Sequence, residues 1–239
     1  ITFNGEIYNY QTLREELIAA GHTFTTKSDT EVLLHGYEQW GVDLLQRVRG
    51  MFTFVIWDKN KQELFGARDH FGIKPFYYAK MNGTFMYASE IKSLLRHPDF
   101  VKELNAEALK PYMTFQYPAI GETFFKGVYK LPEGHYFTYR DGKMDIHRYY
   151  DEDFREGKQK LGELVNSIDQ TVCDSVKAHQ IADVEVGSFL SSGVDSSYVA
   201  AVARPQHTYS IGFGKGTYNE SQQAGELAEL LKLNNTAES

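Results

Sequence analysis

The spacing of apolar residues changes character along the chain. Tyr10, Leu13, Leu17 and Ile18 recur at helical intervals and predict an amphipathic helix stopped at Gly21. Ser28 with Glu31 three residues on has the form of a capping box. It opens a second helix that carries Leu33, Tyr37 and Trp40 and stops at Gly41. From 51 to 57 the apolar positions run on almost unbroken, as in a buried strand, and 64–67 answers them across a turn at 58–62. Asn82-Gly83 between 76–79 and 84–88 predicts a tight hairpin, as does Asp141-Gly142 between 134–140 and 143–149. Residues 90–96 read as a short helix. Antiparallel hairpins mixed with helices predict an α+β domain over residues 1–150.

Residues 151–158, DEDFREGK, are a charged stretch and the expected linker. Beyond it, over 159–239, the pattern changes. Leu161, Leu164, Val165, Ile168, Val172 and Val176 predict an amphipathic helix. A strand at 184–190, a helix at 194–203, a strand at 207–213 and a helix at 220–231 follow. That alternation predicts parallel strands joined by right-handed crossovers, the start of a doubly wound α/β domain. The chain opens on Ile1 inside a strand-like segment and closes directly after a helical pattern. It therefore reads as an internal piece of a longer polypeptide.

Composition narrows the function classes. Among 239 residues, 42% are hydrophobic and 14% aromatic, enough for packed cores rather than a disordered chain. The net charge of −7 argues against a general nucleic-acid or anionic-membrane binder. The single cysteine, Cys173, excludes an intrachain disulfide and suits a reducing compartment. No apolar run approaches a membrane span.

Three segments carry candidate chemistry. Leu190-Ser191-Ser192-Gly193-Val194-Asp195-Ser196-Ser197 lies between a predicted strand end and a helix start. At that edge of an α/β sheet, small residues and free helix N–H groups suit an anion such as phosphate. Asp195 there makes sense if it holds Mg²⁺. The plainer alternative is a Ser/Gly turn with Asp195 or Ser196 as helix cap; a Walker A loop is absent. Asn4-Gly5-Glu6 offers an amide and a backbone N–H suited to an oxyanion hole, and Glu6 with Asp29 could hold a ligand ammonium. The plainer alternative is a strand-to-turn Asn-Gly with two solvated acids. Residues 68–75, Arg-Asp-His-Phe-Gly-Ile-Lys-Pro, read as a structural turn with an Arg68/Asp69 pair and no catalytic role for His70. Cys173 reads as helix packing.

FNGEIYNY, SDTEV, GMFTFVIWD, RDHFGIKPFYYA, ASEIKSLL, LPEGH, RYYD and FLSSGVDSSYVAA occur in this order. Together they resemble the glutamine-hydrolysing asparagine synthetases over essentially the whole chain. The resemblance implies a four-layer αββα amidotransferase domain, here without its N-terminal part, followed by the start of a pyrophosphatase-loop ATP domain. It implies release of ammonia from glutamine, adenylation of aspartate to β-aspartyl-AMP with loss of pyrophosphate, and attack by ammonia to give asparagine and AMP. Carried over by position, Asn4 and Gly5 supply the oxyanion hole, and Asn4, Glu6 and Asp29 bind glutamine. Leu190 and Ile211 lie against adenine. Ser191, Gly193, Asp195 and Ser196 cradle pyrophosphate, with Asp195 near Mg²⁺. ATP and Mg²⁺ are the implied cofactors; glutamine, aspartate and ATP are the partners, with a cytoplasmic location and a homodimer as the assembly. Two features depart from the family pattern. The family's nucleophilic cysteine and glutamine-carboxylate arginine precede residue 1, so this stretch alone is expected to release no ammonia. Ser192 stands where S-G-G-x-D-S loops have glycine. Two other readings share these residues: a β-lactam-synthetase-like ligase acting on another carboxylate, and a non-catalytic module that keeps the fold.

Overall fold

In the computed structural model, which describes residues 1–117, 120–212 and 220–238, the chain divides into two units, Ile1–Phe154 and Arg155–Ser239. The division falls inside the charged stretch 151–158.

The first unit begins with β1 (Thr2–Ile7), α1 (Tyr10–Ala19) and α2 (Asp29–Trp40). Leu13 and Leu17 of α1 pack with Val32, Leu33 and Tyr37 of α2. Ile18, expected on this face, is instead 46% exposed at its flank. Ser28 caps α2, its hydroxyl accepting from the Thr30 N–H at 3.1 Å. The reciprocal half of the expected capping box does not form. Glu31 turns to the preceding loop, accepting from the N–H groups of Thr25 (2.8 Å) and Thr26 (2.6 Å) and from both hydroxyls. Two backbone donors and two hydroxyls outbid the single N–H that a capping box offers.

The apolar run becomes β2 (Gly50–Asp58), followed by β3 (Glu63–Arg68). After β3 the chain leaves this sheet and forms β4 (Tyr77–Met81), β5 (Thr84–Ala88), α3 (Ile91–Leu94), α4 (Leu109–Phe115) and β6 (Val128–Lys130). It then returns as β7 (His135–Arg140) and β8 (Lys143–Arg148). One sheet has the order β1-β2-β3-β7-β8 and the other β5-β4-β6, and every pairing within them is antiparallel. Asn82 (φ 51°) with Gly83 (φ 83°), and Asp141 (φ 50°) with Gly142 (φ 75°), close their hairpins with the doubly positive φ that two-residue turns require. The segment 105–131, which carries no strong periodicity, supplies α4 and β6 beyond the predicted elements.

Strand alternation explains why β2 is apolar throughout. Phe52, Phe54 and Ile56 join Ile7, Phe65 and Ala67 against α1 and α2. Val55, on the opposite face, meets Phe76, Leu131 and Phe137, with Tyr78, Phe85 and Tyr87 of the second sheet. Ala79, Met86 and Val128 pack on the far side of that sheet with Leu94 of α3. The layers are therefore α, β, β, α. Each buried Phe, Leu or Ile contributes about 1.5–3 kcal/mol of transfer free energy.

Both connections between the sheets pass one residue. Arg68 is 2% exposed. Its guanidinium donates to the carbonyls of Gly72 (2.5 Å) and Lys74 (2.8 Å) on the outgoing segment, and Leu131 (2.7 Å) on the returning one. Asp69, 1% exposed, accepts from the N–H groups of Phe52, Phe71, Ile73 and Lys74 at 2.9–3.2 Å. Its carbonyl takes the Gly134 N–H at 2.9 Å. The expected Arg68/Asp69 pair is thus primarily two charged groups bound to loop backbone. Gly72 needs its positive φ of 63°, and a Cβ there would lie 2.7 Å from the Arg68 guanidinium.

The second unit contains α5 (Leu161–His179), β9 (Ser188–Phe189), α6 (Val194–Ala203), β10 (His207–Ile211), α7 (Ser221–Leu231) and β11 (Asn234–Glu238). Its strands are parallel in the order β11-β10-β9. The strand expected at 184–190 shortens to two residues, because β10 begins at His207 and pairs only Thr208 and Tyr209 with it. β11 was not expected from NNTAE; the α7 crossover lays it beside β10 in register from His207↔Asn234 to Ile211↔Glu238. Of the strand read at 207–213, Phe213 lies outside the described residues. The apolar stripe of α5 is covered only near its end: Val176 is buried, whereas Leu161, Leu164, Val165 and Ile168 are exposed. Among the described residues no helix is long and apolar enough to cross a membrane.

Replacing Asp69 with Ala strands the Arg68 charge and four N–H groups. We expect about 3–5 kcal/mol of destabilisation in urea unfolding. Lys126→Ala, which removes a half-exposed pair with Glu103, is expected to leave the urea midpoint close to that of the native chain in the same assay.

Candidate functional site

The motif Asn4-Gly5-Glu6 lies in β1, which pairs only with β2 among the described residues. Alternation sends Phe3 and Ile7 into the helix-side core and places Asn4 and Glu6 on the other face. There the Asn4 Nδ2 donates to Ser89 Oγ at 2.9 Å, just past the end of β5, and Thr2 Oγ1 lies 3.1 Å from Tyr87 Oη. Thr2, Asn4, Thr53, Phe76, Tyr87 and Ser89 are among the residues around a cavity of about 250 Å³ between the two sheets.

Gly5 has φ +153°, and a Cβ there would lie 2.1 Å from the Met51 carbonyl oxygen and 2.6 Å from Phe52 Cα. The position excludes any side chain, so its backbone stays open to close approach. Asp29, at the start of α2, accepts the Ile7 N–H at 3.1 Å. That bond brings its carboxylate to the end of β1, one residue beyond Glu6. Tyr8 follows, 6% exposed; burial, and then the charges of Glu6 and Asp69, push its phenol above the ordinary range. Ser89, Tyr87 and Tyr8 were not singled out from the sequence. Ser89 sits in the ASEIKSLL motif, but its partnership with Asn4 spans 85 residues and has no local signal. His70 stacks on Tyr150 with ring centroids 4.0 Å apart, and burial, more than Asp69 opposing it, lowers its basicity. That is packing at the crossover loop.

In the second unit the Ser/Gly loop joins β9 to α6. Leu190 N–H donates to Tyr209 O at 2.8 Å, and Ser210 Oγ donates to Leu190 O at 2.8 Å. The Leu190 side chain is 3% exposed, in a cluster with Ala200, Ala224 and Ala228. The side chain thus serves the core, and the backbone of Leu190 is what a ligand can meet. Ile211 ends β10 and is 57% exposed. Ser191 Oγ and Ser196 Oγ are 2.7 Å apart, and Gly193 N–H donates to Ser191 Oγ at 3.2 Å. The residue capping α6 is Gly193, without a side-chain cap. Asp195 is therefore not the cap: it sits in the first turn of α6, exposed and without a hydrogen bond or ion pair among the described residues. A helix N-terminus with no side-chain cap, two adjacent hydroxyls and a free carboxylate form a donor set that fits phosphate oxygens with a divalent cation beside them. Cys173 lies on α5 with its thiol 3.9 Å from Asp169.

A model of the glutamine amidotransferase domain matches residues 1–150, and one of asparagine synthase matches residues 167–238. The chain belongs to the glutamine amidotransferase domain family. Over 98% of its length it is 44% identical to asparagine synthetase [glutamine-hydrolyzing] 1 of Bacillus subtilis, of which it spans 38%. A putative asparagine synthetase of Mycobacterium tuberculosis is 39% identical over 97% of this chain and 37% of that protein. The amidase chry2 of Gibberella zeae is 34% identical over 83% of this chain and 30% of that protein. The chain thus spans about a third of the length of these curated relatives.

The site residues differ in what they do for the fold. Gly5→Ala is expected to lose roughly 2–4 kcal/mol through backbone overlap in β1–β2, whereas Asn4→Ala stays within about 1 kcal/mol. Thermal melting of the two variants checks this. Glu31 gives a pH signature. Its hydrogen bonds to Thr26 and Thr25 lower the carboxyl pKa from 4.5 to about 2. A depressed carboxyl stabilises the fold above its unfolded pKa and loses that contribution as pH falls from about 4.5 towards 2. The stability gap between the native chain and Glu31→Gln should therefore narrow over that window in pH-dependent melts.

Proposed function

We propose that the protein to which this chain belongs is a glutamine-dependent asparagine synthetase. The observation that carries this reading is the succession, in one chain, of an amidotransferase match at 1–150 and an asparagine synthase match at 167–238. The names of the aligned relatives support it. In the first unit the Asn4 amide and the Gly5 N–H stabilise the oxyanion formed when the glutamine amide is attacked. Ser89 holds the Asn4 side chain in place. Glu6 and Asp29 bind the substrate ammonium. In the second unit Ser191, Gly193 and Ser196 hold the pyrophosphate portion of ATP, Asp195 holds Mg²⁺, and Ile211 with the Leu190 backbone borders the base. ATP with Mg²⁺ supplies adenylation of the acceptor carboxylate and a pyrophosphate leaving group. A second reading keeps this machinery and changes the acceptor; the aligned amidase chry2 favours keeping it in view.

Full-length protein given ATP, Mg²⁺, glutamine and aspartate is expected to form asparagine, AMP and pyrophosphate. Turnover with other carboxylates, and none with aspartate, would select the second reading. Asn4→Ala is expected to lower glutamine hydrolysis by roughly 10²–10³ and leave ammonia-dependent synthesis intact. Asp195→Asn removes no helix cap, so the melting temperature should hold while pyrophosphate release falls by roughly 10² or more. Unchanged release in this variant would remove Asp195 from the ATP site.

A further inference from the structure

Where α1 ends, the Gly21 turn (φ +99°) delivers His22, whose N–H donates back to Leu17 O at 3.0 Å. The turn sets its imidazole against α2, where His35 and Glu38 stand one helical turn apart. Each of these residues offers a donor atom, and the three atoms lie within 4.8 Å of one another. No other group of three or more His, Cys, Asp or Glu converges in this way among the described residues. We propose that His22, His35 and Glu38 form a binding site for a divalent transition-metal ion of the zinc type. The proposal goes beyond the glutamine and ATP chemistry and does not depend on it.

Distances support it. Glu38 Oε2 lies 2.7 Å from His35 Nδ1 and 3.7 Å from His22 Nδ1. Ligand atoms around tetrahedral Zn²⁺ are roughly 3.3 Å apart, given bonds of about 2.0–2.1 Å. The two spacings to Glu38 straddle that value, and all three donor atoms lie within 4.8 Å of one another. Both imidazole side chains are largely covered, at 17% and 18% exposure. Glu38, at 53%, leaves the approach open to solvent.

The outer partners support it too. The far nitrogen of His22, Nε2, is 2.9 Å from Gln39 Oε1, an amide acceptor. The far nitrogen of His35, Nε2, is 3.7 Å from Glu31 Oε1. Metal-bound imidazoles characteristically present their second N–H to such an amide or carboxylate oxygen, which fixes the tautomer and ring orientation. With its Nε2 hydrogen directed to Gln39, the Nδ1 lone pair of His22 faces the Glu38 carboxylate, and a lone pair aimed at an anion needs a cation between them. His35 Nδ1 lies within hydrogen-bond distance of the same carboxylate, and a divalent ion would take the place of the proton they share, reaching all three donors. Phe24 closes a side of the site, its ring 4.8 Å from that of His35. Imidazole and carboxylate donors in this ratio suit Zn²⁺, Co²⁺ or Ni²⁺ better than Mg²⁺ or Ca²⁺, which take oxygen ligands.

The consequence is a clip joining the end of α1 to the middle of α2, the helix whose first residue is Asp29. The test uses full-length protein stripped of metal and titrated with Co²⁺ alone. One equivalent should produce visible d–d bands, and Zn²⁺ should abolish them. Zn²⁺ should also raise the melting temperature. His22→Ala and Glu38→Gln should each lose both responses while melting cooperatively without metal. Glu38→Gln guards against misfolding, because that side chain is half exposed. His97→Ala, at a separate exposed site, should bind as the native protein does. Absence of Co²⁺ bands and of a Zn²⁺-dependent melting shift in native protein would overturn the proposal. So would binding that survives in both His22→Ala and Glu38→Gln.

Discussion

The amidotransferase unit depends on two buried charges at the place where its chain changes sheets. β3 must hand the chain to the second sheet, and β6 must hand it back to β7. Such crossings leave carbonyls and N–H groups without strand partners, and buried ones must find others. Arg68 serves carbonyls on both crossings, and Asp69 gathers four N–H groups, one of them from β2. Tyr149 closes the arrangement by donating to Arg68 O at 2.8 Å. Burial lowers the Arg68 pKa, with the charge of Asp69 opposing it. Neither charge stands alone in the low-dielectric interior, which is the condition for tolerating them there.

The same crossing shapes the surroundings of Asn4 in the first unit. Because the second sheet lies on the face of β2 away from α1 and α2, the end of β5 arrives beside β1. Asn4 can then meet Ser89 across 85 residues of sequence. Gly5 allows β1 and β2 to approach so closely that no Cβ fits. Gly5 thus carries a demand of the fold itself, whereas the side chain of the exposed Asn4 does not.

The Ser/Gly loop of the second unit follows a different logic. Parallel strands place the loop after β9 and the end of β10 at one edge of the sheet, where ligands of open α/β sheets bind. Gly193 as the cap of α6 leaves the helix N–H groups available, and Ser191 with Ser196 keeps the loop folded between them. The apolar residues of α5 from Leu161 to Ile168 lie exposed in this unit, so its core is concentrated around Leu190 and the alanines of α6 and α7.

Much of this was legible in the sequence because it is local. Hairpins announced by Asn-Gly and Asp-Gly, helices with a period of 3.6 and the doubly buried β2 all depend on neighbours within a few residues. The motif positions Asn4, Asp29 and Asp195 were legible through resemblance to a family. What depends on distant partners was not. Glu31 left its expected capping box because Thr25 and Thr26 offered four donors once the loop had folded. Leu190 turned into the core because α6 and α7 came to cover it. β11, with the polar sequence NNTAE, is a strand only because β10 lies beside it. Ser89 became a partner of Asn4, and His22 of His35 and Glu38, only when separate elements packed together. Local propensity set the elements of this chain, whereas the convergence of side chains at its sites was decided by tertiary packing, since those contacts join residues with no spacing in common.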